Sequence, residues 1–225
     1  MDLYIGNKNY SSWSLRAWLL MKQTGVAFSE RQLRFDHSEG SPFTTTLLAL
    51  APTARVPLLV DEGFAVWDSL AIAEYLAERF PDKHLWPPDP KQRARARSLC
   101  AEMHSGFPGL RSRCPMNIEA SLPEVGTQLV AEWPDVSAEL RRIDAMWSEA
   151  LAASGGPFLF GSFGIVDAYY APICVRAQTY HLPLGAAAKA YAARILALPA
   201  MQEWSSAARA EHDFVEEDEP YRPRP

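Results

Sequence analysis

The chain has 225 residues, 48% of them hydrophobic, which is enough to bury a large core in one domain or two small ones. Its formal net charge of -5 and its pI near 5.6 argue against nucleic-acid binding, because a phosphate-binding surface has to be basic. No apolar run approaches the roughly 20 residues that span a bilayer, and no signal-peptide pattern opens the sequence. We therefore expect a globular protein in the cytoplasm, with neither a nucleic-acid nor a membrane partner.

The three cysteines point to the same compartment. Cys100, Cys114 and Cys174 are odd in number, widely spaced and never arranged as C-x-x-C. This pattern is typical of reduced, packed thiols and not of a disulfide framework. The histidines are isolated, and the sequence contains no metal-ligand spacing, phosphate loop or dinucleotide fingerprint, so no metal is expected.

Residues 1–80 alternate between short strands and short helices. Their apolar runs predict strands at residues 3–6, 28–35, 56–60 and 64–67, and helices at residues 14–24, 47–50 and 69–80. The turn sequence Asp61-Glu62-Gly63 predicts a hairpin between the last two strands. The order βαβαββα predicts a small mixed sheet with helices on both faces.

The sequence pattern changes after residue 80, where prolines become frequent. Four prolines between residues 81 and 90 predict a linker over residues 81–88, because proline cannot enter a helix interior. From residue 89 to 210 only helical periodicity is present, which predicts a separate all-helical domain. Residues 211–225, acidic and then proline-rich, are expected to form a loose tail.

The boundaries of the helices in this second part carry their own signals. Asp89, with a proline behind it and a glutamine three residues on, predicts one helix start, and Ser121 with Glu124 predicts another. Pro134 divides two helical segments, and Gly155 ends the second. After the helix that begins at Asp89, the expected helical segments are residues 124–131, 136–153, 165–180, 186–198 and 201–210.

The segment Asn9 to Trp18, NYSSWSLRAW, crowds three serines into the junction of the first strand and first helix. One of Ser11, Ser12 and Ser14 is expected to be the helix N-cap, with the others solvated. Alternatively, one hydroxyl points past the helix end and donates a hydrogen bond to an anion, which the helix dipole attracts. No histidine lies nearby to act as a base, so this serine would be a donor and not a nucleophile.

Two further motifs also have both a structural and a ligand-binding interpretation. Pro57 is either an ordinary strand-entry proline or part of a tight turn built on a cis bond. Asp68 is either a structural N-cap or, together with Ser69, a recognition site for the amine and carboxylate of an amino-acid end.

Together these motifs resemble the glutathione S-transferases. The run Ser11-Ser12-Trp13-Ser14-Leu15-Arg16 is similar to the S-S-C-x-W-R motif of the zeta class, and Arg55-Val56-Pro57-Leu58-Leu59 and Arg93-Ala94-Arg95-Ala96-Arg97 resemble a bacterial branch of the superfamily. The similarity spans nearly the whole chain and is strongest in its first 80 residues. It implies a thioredoxin-like α/β N-terminal domain, an all-α C-terminal domain and a homodimer.

The resemblance also implies glutathione as a co-substrate. Ser11 matches the serine with which family members hydrogen-bond the glutathione sulfur, and Ser12 belongs to the same motif. A donor at a helix N-terminus lowers the thiol pKa from about 8.5 and enlarges the thiolate fraction at neutral pH.

The other glutathione contacts are carried over in the same way. The backbone of Val56, held by a cis Pro57, would pair with the cysteinyl peptide like an added strand. Asp68 and Ser69 would bind the γ-glutamyl end, and Arg55 is a candidate for the glycine carboxylate.

The chain departs from the zeta pattern at several positions. Trp13 replaces the cysteine of that motif, and Pro42 replaces a glycine-binding glutamine, for which Ser41 or His37 is a candidate substitute. In the S-x-x-D box of the long core helix, Gly164 replaces the serine, while Asp167 is still able to cap backwards.

The arginine that zeta isomerases carry farther along that helix falls on Thr179, and Arg176, one turn earlier, is a candidate to compensate. An activity like that of maleylacetoacetate isomerase therefore stays open and is not strongly implied.

The electrophilic substrate is expected at the interface of the two domains. The candidate pocket residues are Trp13, Met103, His104, Phe107, Arg111 and Arg176. Core packing of Met103 and Phe107 is an equally good interpretation of their helical spacing, and Arg111 would steer an anionic substrate.

Three functions are consistent with these residues. The first is a glutathione transferase that conjugates glutathione to a small hydrophobic or anionic electrophile, or isomerises it from cis to trans. The second is a glutathione-dependent reductase of organic hydroperoxides. The third is a non-catalytic binding protein with the same fold, which would not need Ser11, Pro57 and the Asp68-Ser69 pair together.

Overall fold

The N-terminal part of the chain folds as the sequence predicts. A computed structural model describes residues 1–36 and 38–224. Its first elements are β1 (Asp2–Ile5), α1 (Ser12–Thr24), β2 (Ser29–Gln32), α2 (Pro42–Leu48), β3 (Leu58–Asp61), β4 (Phe64–Trp67) and α3 (Ser69–Arg79). The sheet order is β2-β1-β3-β4, with β1 parallel to β2 and β3 antiparallel to both its neighbours. The predicted mixed sheet and βαβαββα order are confirmed.

The period-two pattern of the strands separates two apolar layers. Leu3 and Ile5 of β1 and Leu59 of β3 are fully buried in the larger core, which includes α1 and α3. The neighbouring Leu58 points to the other face, where it packs with Phe43 and the rest of the α2 layer. Helices therefore cover both faces of the sheet, as predicted.

Local turn chemistry sets the connections within this part. Glu62 and Gly63, between β3 and β4, both have positive φ, +49° and +86°, as a two-residue hairpin turn requires. Gly25 ends α1 in the left-handed conformation, with its N–H donated to the carbonyls of Lys22 and Met21. The strand β2 is shorter than predicted and its four residues are exposed, because it is an edge strand that pairs only with β1.

The second part is helical among the described residues. It comprises α4 (Pro90–Ser105), α5 (Pro108–Arg113), α6 (Pro123–Glu132), α7 (Pro134–Ser154), α8 (Ile165–Thr179), α9 (Ala186–Leu196) and α10 (Pro199–Glu211), with short 3₁₀ turns at Pro81–Lys83 and Glu216–Asp218. The central helix α8 packs against α1, α4 and α9, and α1 also packs against α10. No helix in this described part of the chain is long and apolar enough to cross a membrane.

Two predicted helix starts have different outcomes. Asp89 caps α4 as predicted, accepting hydrogen bonds from the N–H groups of Lys91 and Gln92 at 3.0 and 2.8 Å. The predicted box of Ser121 and Glu124 is wrong, because α6 begins after Leu122 without a side-chain cap. The Leu122 N–H is instead donated to the carbonyl of Thr179 at 2.7 Å, which ties the helix start to the end of α8.

The expectation of a loose C-terminal tail is also wrong. The helix α10 continues to Glu211, and residues beyond it bind the loop between β1 and α1. The carboxylate of Glu219 is buried and accepts a hydrogen bond from the hydroxyl of Tyr10 at 2.6 Å. Acidic side chains that looked solvated in the sequence are thus partners of buried donors far away in the chain.

Asp167 caps α8 backwards, as expected. Its carboxylate accepts from the N–H of Gly164 at 3.0 Å and of Leu159 at 3.2 Å, and from the hydroxyl of Tyr191 at 2.9 Å. Burial raises the pKa of this carboxyl to about 6, against the hydrogen bonds, which lower it. The Asp167 carboxyl therefore titrates within the pH range in which protein stability is readily measured.

The pKa of Asp167 predicts a pH-dependent contribution to stability. Between its unfolded pKa of 3.8 and about 6 the folded chain holds a proton that the unfolded chain has released. The free energy of unfolding should therefore fall by about 1 to 3 kcal/mol as the pH rises through this window. Denaturant unfolding of the unsubstituted chain and of Asp167→Asn between pH 4 and pH 7 measures this difference, and parallel profiles would contradict it.

Candidate functional site

A cleft of about 870 Å³ lies between the N-terminal part and the helical part. Its walls include seven of the residues predicted from the sequence: Ser11, Ser12, Trp13, Arg55, Val56, Arg111 and Arg176. These residues come from α1, the loop before β3, α5 and α8. The cleft thus joins both parts of the chain at the amino end of α1.

Ser11 has the first of the two roles considered from the sequence, that of a helix N-cap, and it also lines the cleft. It is the N-cap of α1, and its hydroxyl oxygen accepts a long hydrogen bond of 3.4 Å from the N–H of Ser14. The same hydroxyl donates to the Ser14 oxygen at 2.7 Å, and that oxygen accepts from the N–H of Gly6 at 3.1 Å. Ser11 is a capping residue that also lines the cleft, so its hydroxyl is available to a ligand after a rotation about one bond.

Ser12 has a different environment, although it is the next residue. It is the first helical residue of α1 and is half-buried, and its N–H is donated to the carbonyl of Tyr10 at 2.8 Å. Its hydroxyl makes no hydrogen bond to any residue that the structure describes. The two adjacent serines therefore differ in their hydroxyls: that of Ser11 is hydrogen-bonded to Ser14, and that of Ser12 is bonded to none of the described residues.

Trp13 is surrounded by cations. The guanidinium carbons of Arg16 and Arg111 lie 4.1 and 4.9 Å from its ring centroid, and the ring of His104 packs edge-on at 5.1 Å. Arg16 also lies 4.5 Å from the ring of Tyr169. The tryptophan that replaces the zeta-class cysteine thus forms an aromatic wall supported by arginines.

Arg16 is a site residue that the sequence analysis did not identify. It is buried, and its Nε and Nη1 atoms have no hydrogen-bond partner among the described residues. Burial lowers its pKa to about 10, so it remains a cation at neutral pH. Its sequence signals were its match to the arginine of the S-S-C-x-W-R motif and its place one turn after Ser12, on the same side of the helix.

The loop before β3 contributes to the cleft and leads into a cis proline. The Val56-Pro57 peptide bond is cis, as expected. Val56 lines the cleft just before the β3 ladder, which begins at Leu58. Arg55, one residue earlier, is exposed at the cleft surface. An extended ligand backbone placed here would lie beside strand β3.

Asp68 and Ser69 lie outside this cleft. Asp68 is the N-cap of α3, with φ of +74°, and accepts from the N–H of Leu70 at 2.8 Å. The hydroxyl of Ser69 is buried and is hydrogen-bonded to that of Tyr169 at 2.9 Å. The Nε2 atom of His104 lies 3.4 Å from the Asp68 carboxylate, so His104 and its ring contact with Trp13 connect this pair to the cleft.

Met103 and Phe107 belong to the core and not to the cleft. The predicted helical spacing breaks down because α4 ends at Ser105 and Phe107 has φ of +55° before α5. Arg111, beyond this break, does line the cleft, and its Nη1 donates to the carbonyls of His104 and Gly106.

The substitutes considered for missing family residues are mostly used within the protein. Ser41 caps α2 and donates to the carbonyl of Asp36 at 2.6 Å, while His37 lies outside the described residues. The hydroxyl of Thr179 donates to the carbonyl of Asn117 at 2.6 Å. Arg176 lines the cleft although its Nε donates to the carbonyl of Cys114 at 2.7 Å, and burial lowers its pKa to about 10.

The protein offers no thiolate of its own. Cys100, Cys114 and Cys174 are free and buried. Burial raises the pKa of each thiol, to about 12 for Cys114. Within the part of the chain that the structure describes, no group of three or more histidine, cysteine or carboxylate side chains could hold a metal ion. The site can therefore supply hydroxyl and cationic groups.

Comparisons with known proteins identify both parts of the chain. The sequence models for the glutathione S-transferase N-terminal domain and C-terminal domain match residues 10–79 and 127–207. Together they cover more than half of the chain. Maleylacetoacetate isomerase of Pseudomonas aeruginosa is 29% identical over 194 residues, covering 83% of this chain and 85% of the relative.

Solved structures share the fold. A glutathione transferase homolog from Burkholderia GL BGR1, with bound glutathione, aligns with a TM-score of 0.68 at 24% identity, over 93% of this chain and 97% of its own. A holo maleyl pyruvate isomerase, described as a bacterial zeta-class glutathione S-transferase, also aligns with a TM-score of 0.68 at 23% identity, over 92% of this chain and 98% of its own.

The hydrogen bonds of Ser14 predict that its hydroxyl contributes more to stability than that of Ser12. Ser14→Ala removes the acceptor of the buried Gly6 N–H and should lower the free energy of unfolding by about 1 to 3 kcal/mol. Ser12→Ala removes a hydroxyl that bonds none of the described residues, and it should change the free energy of unfolding by no more than about 0.5 kcal/mol. Denaturant unfolding of both variants tests the contrast, which would be wrong if Ser12→Ala were the more costly change.

Proposed function

The chain belongs to the glutathione S-transferase superfamily, and we propose that it is an enzyme that ionises the glutathione thiol beside Ser11 and transfers the thiolate to a small electrophile. The observation that carries this proposal is the cleft that joins Ser11 at the amino end of α1 to Val56 before the cis Pro57. A scaffold protein has no need of this combination.

The first chemical step is the loss of the thiol proton to solvent. The amino end of α1 carries about half a positive charge, and the Ser11 hydroxyl turns from Ser14 to donate to the sulfur. Trp13, with Arg16 and Arg111 packed against it, keeps two further cations near the same helix end. These groups favour the thiolate and lower the thiol pKa from about 8.5 towards neutrality.

The glutathione contacts are proposed residue by residue. The Val56 backbone pairs with the cysteinyl peptide, and Arg55 binds the glycine carboxylate. Ser12 lies at the same helix end as Ser11. Asp68 and Ser69 take the γ-glutamyl end, which requires that the ligand reach the amino end of α3 past Trp13 and His104.

The electrophile is proposed to be anionic. Arg111 and Arg176 both line the cleft, and the Pseudomonas relative is a maleylacetoacetate isomerase. In such an isomerisation the thiolate adds to a conjugated double bond, the bond rotates as a single bond, and elimination restores the thiolate with the opposite geometry. In conjugation to an aryl halide, the new carbon–sulfur bond replaces the bond to the departing halide.

Two properties of the whole protein complete the proposal. A homodimer is supported by Phe64 and Trp67, large apolar side chains that β4 leaves exposed at an edge of the sheet. A cytoplasmic location is supported by the three free cysteines, since thiols remain reduced in that compartment.

The role of Ser11 predicts a selective loss of rate. Ser11→Ala removes one hydrogen bond to a charged sulfur, so kcat should fall roughly 10- to 150-fold while glutathione affinity changes less. Ser12→Ala is the comparison at the same helix end, and as a proposed glutathione contact it should change affinity and not kcat. Steady-state kinetics with an aryl halide and calorimetry with glutathione measure the two effects, and the role would be refuted if both variants, or neither, lost rate.

The proposed anionic substrate predicts a change of specificity. Arg111→Gln should lower kcat/KM for maleylacetone roughly 10-fold more than kcat/KM for a neutral aryl halide, because one charged contact is worth about 1.5 to 3 kcal/mol, and the neutral substrate loses only the effect of the cation on the thiol. Arg111→Lys keeps the charge and should recover part of the loss. Equal losses with both substrates would exclude the charge contact, and turnover of cumene hydroperoxide alone would favour the peroxidase function instead.

A further inference from the structure

The loop before Ser11 is fixed by acidic side chains from the other end of the chain. We propose, on the basis of the function proposed above, that Glu211 and Glu219 are positioning residues of the reaction, which hold the loop Asn7–Tyr10 and thereby place Ser11 in the cleft. The segment of residues 211–222 that carries them is called the acidic segment below.

The loop needs partners because it is buried without being regular. Its four residues, Asn7, Lys8, Asn9 and Tyr10, expose only 1, 8, 2 and 4% of their surface. It belongs to neither β1 nor α1. Buried N–H and hydroxyl groups without partners cost free energy, so something outside these two elements has to satisfy them.

Glu211 binds the loop backbone. Its two carboxylate oxygens accept from the N–H groups of Lys8 at 2.6 Å and Asn9 at 3.3 Å, and one of them also accepts from the side chain of Gln32. One side chain at the end of α10 thus holds two successive peptide groups of the loop. Such charge-assisted hydrogen bonds are the stronger kind.

Glu219 binds the loop side chain that adjoins Ser11. The Tyr10 hydroxyl donates to its carboxylate at 2.6 Å, and Arg222 pairs with the same carboxylate, with Nε to Oε2 at 2.8 Å. Burial acts against ionisation, but the hydrogen bonds from Arg222 and Tyr10 hold the pKa of Glu219 below its ordinary value. Burial and Glu219 also raise the pKa of Tyr10 to about 12. Because the Tyr10 hydroxyl already donates its proton to Glu219, it anchors the loop and is not the thiol donor.

The constraint reaches Ser11 through the loop backbone. The carbonyl of Asn7 accepts from the N–H of Ser11 at 2.8 Å and from that of Tyr10 at 3.3 Å. The amide of Asn7 is in turn donated to Asp213 of the acidic segment at 2.7 Å. Displacement of the acidic segment would therefore free the residues on which the N-cap position of Ser11 depends.

The effect should fall on the thiolate and not on glutathione binding. Val56, Arg55, Asp68 and Ser69, which make most of the proposed glutathione contacts, lie on other segments of the chain. Loss of the acidic contacts would lower the fraction of molecules with Ser11 in the productive position, and kcat would fall with that fraction.

The test uses the full chain with Glu211→Gln or Glu219→Gln. Glu217→Gln is the matched control, because Glu217 is an exposed carboxylate in the same segment with no hydrogen bond to the described residues. The pKa of the bound glutathione thiol is measured from thiolate ultraviolet absorbance against pH, and kcat and glutathione affinity are measured alongside. We expect a thiol pKa raised by about one unit and kcat lowered roughly 5- to 20-fold for each variant, with affinity within about two-fold, since one charged hydrogen bond is at stake.

Tyr10→Phe provides a second, conservative route, because the ring remains and only the hydroxyl is lost. Its effect on kcat should not add to that of Glu219→Gln in the double variant, since both changes break the same hydrogen bond. If all these variants kept the thiol pKa and kcat of Glu217→Gln while only their melting temperatures fell, the acidic segment would be merely structural. If the unsubstituted chain bound no glutathione at all, the proposed function itself would fail, and this inference with it.

Discussion

The structure depends on how the buried N–H and hydroxyl groups at the amino end of α1 find hydrogen-bond partners within the protein. The residues that lead into this helix are buried, so each N–H and hydroxyl there needs a protein partner. Ser11 and Ser14 satisfy part of this need locally, and other partners come from Glu211, Asp213 and Glu219. The same helix end that offers a positive dipole to a ligand is thus held in place by negative charges from the far end of the chain. The amino end of α1 in the cleft is consequently supported by residues from both ends of the chain.

The sequence predicted those features whose causes are local. The hairpin turn at Glu62-Gly63, the cap at Asp89 and the backward cap by Asp167 each depend on residues a few positions apart. The cis bond at Pro57 and the order of strands and helices belong to the same class. Where a signal of this kind failed, at Ser121, a long-range hydrogen bond from Leu122 to Thr179 had displaced it.

The site was predictable only in part, because its other causes are tertiary. Nothing near Glu219 in the sequence indicates that it lies beside Tyr10, and nothing near Ser69 indicates Tyr169. The helical spacing that placed Phe107 beside Met103 ends at Gly106, where an added Cβ would lie 2.5 Å from the carbonyl oxygen of Glu102. Net charge is also a poor guide to the site. The chain as a whole is acidic, yet Arg55, Arg111 and Arg176 line its cleft. The sign of the net charge of the chain therefore says little about the charge of the ligand.

The buried cysteines have a consequence for the redox behaviour of the protein. A mixed disulfide forms when a thiolate attacks a disulfide sulfur, and the thiols of Cys100, Cys114 and Cys174 are both protonated and inaccessible. The folded chain is therefore inert to thiol–disulfide exchange with oxidised glutathione. Oxidation of glutathione would therefore slow its reaction by depleting the reduced tripeptide and not by forming mixed disulfides with these cysteines.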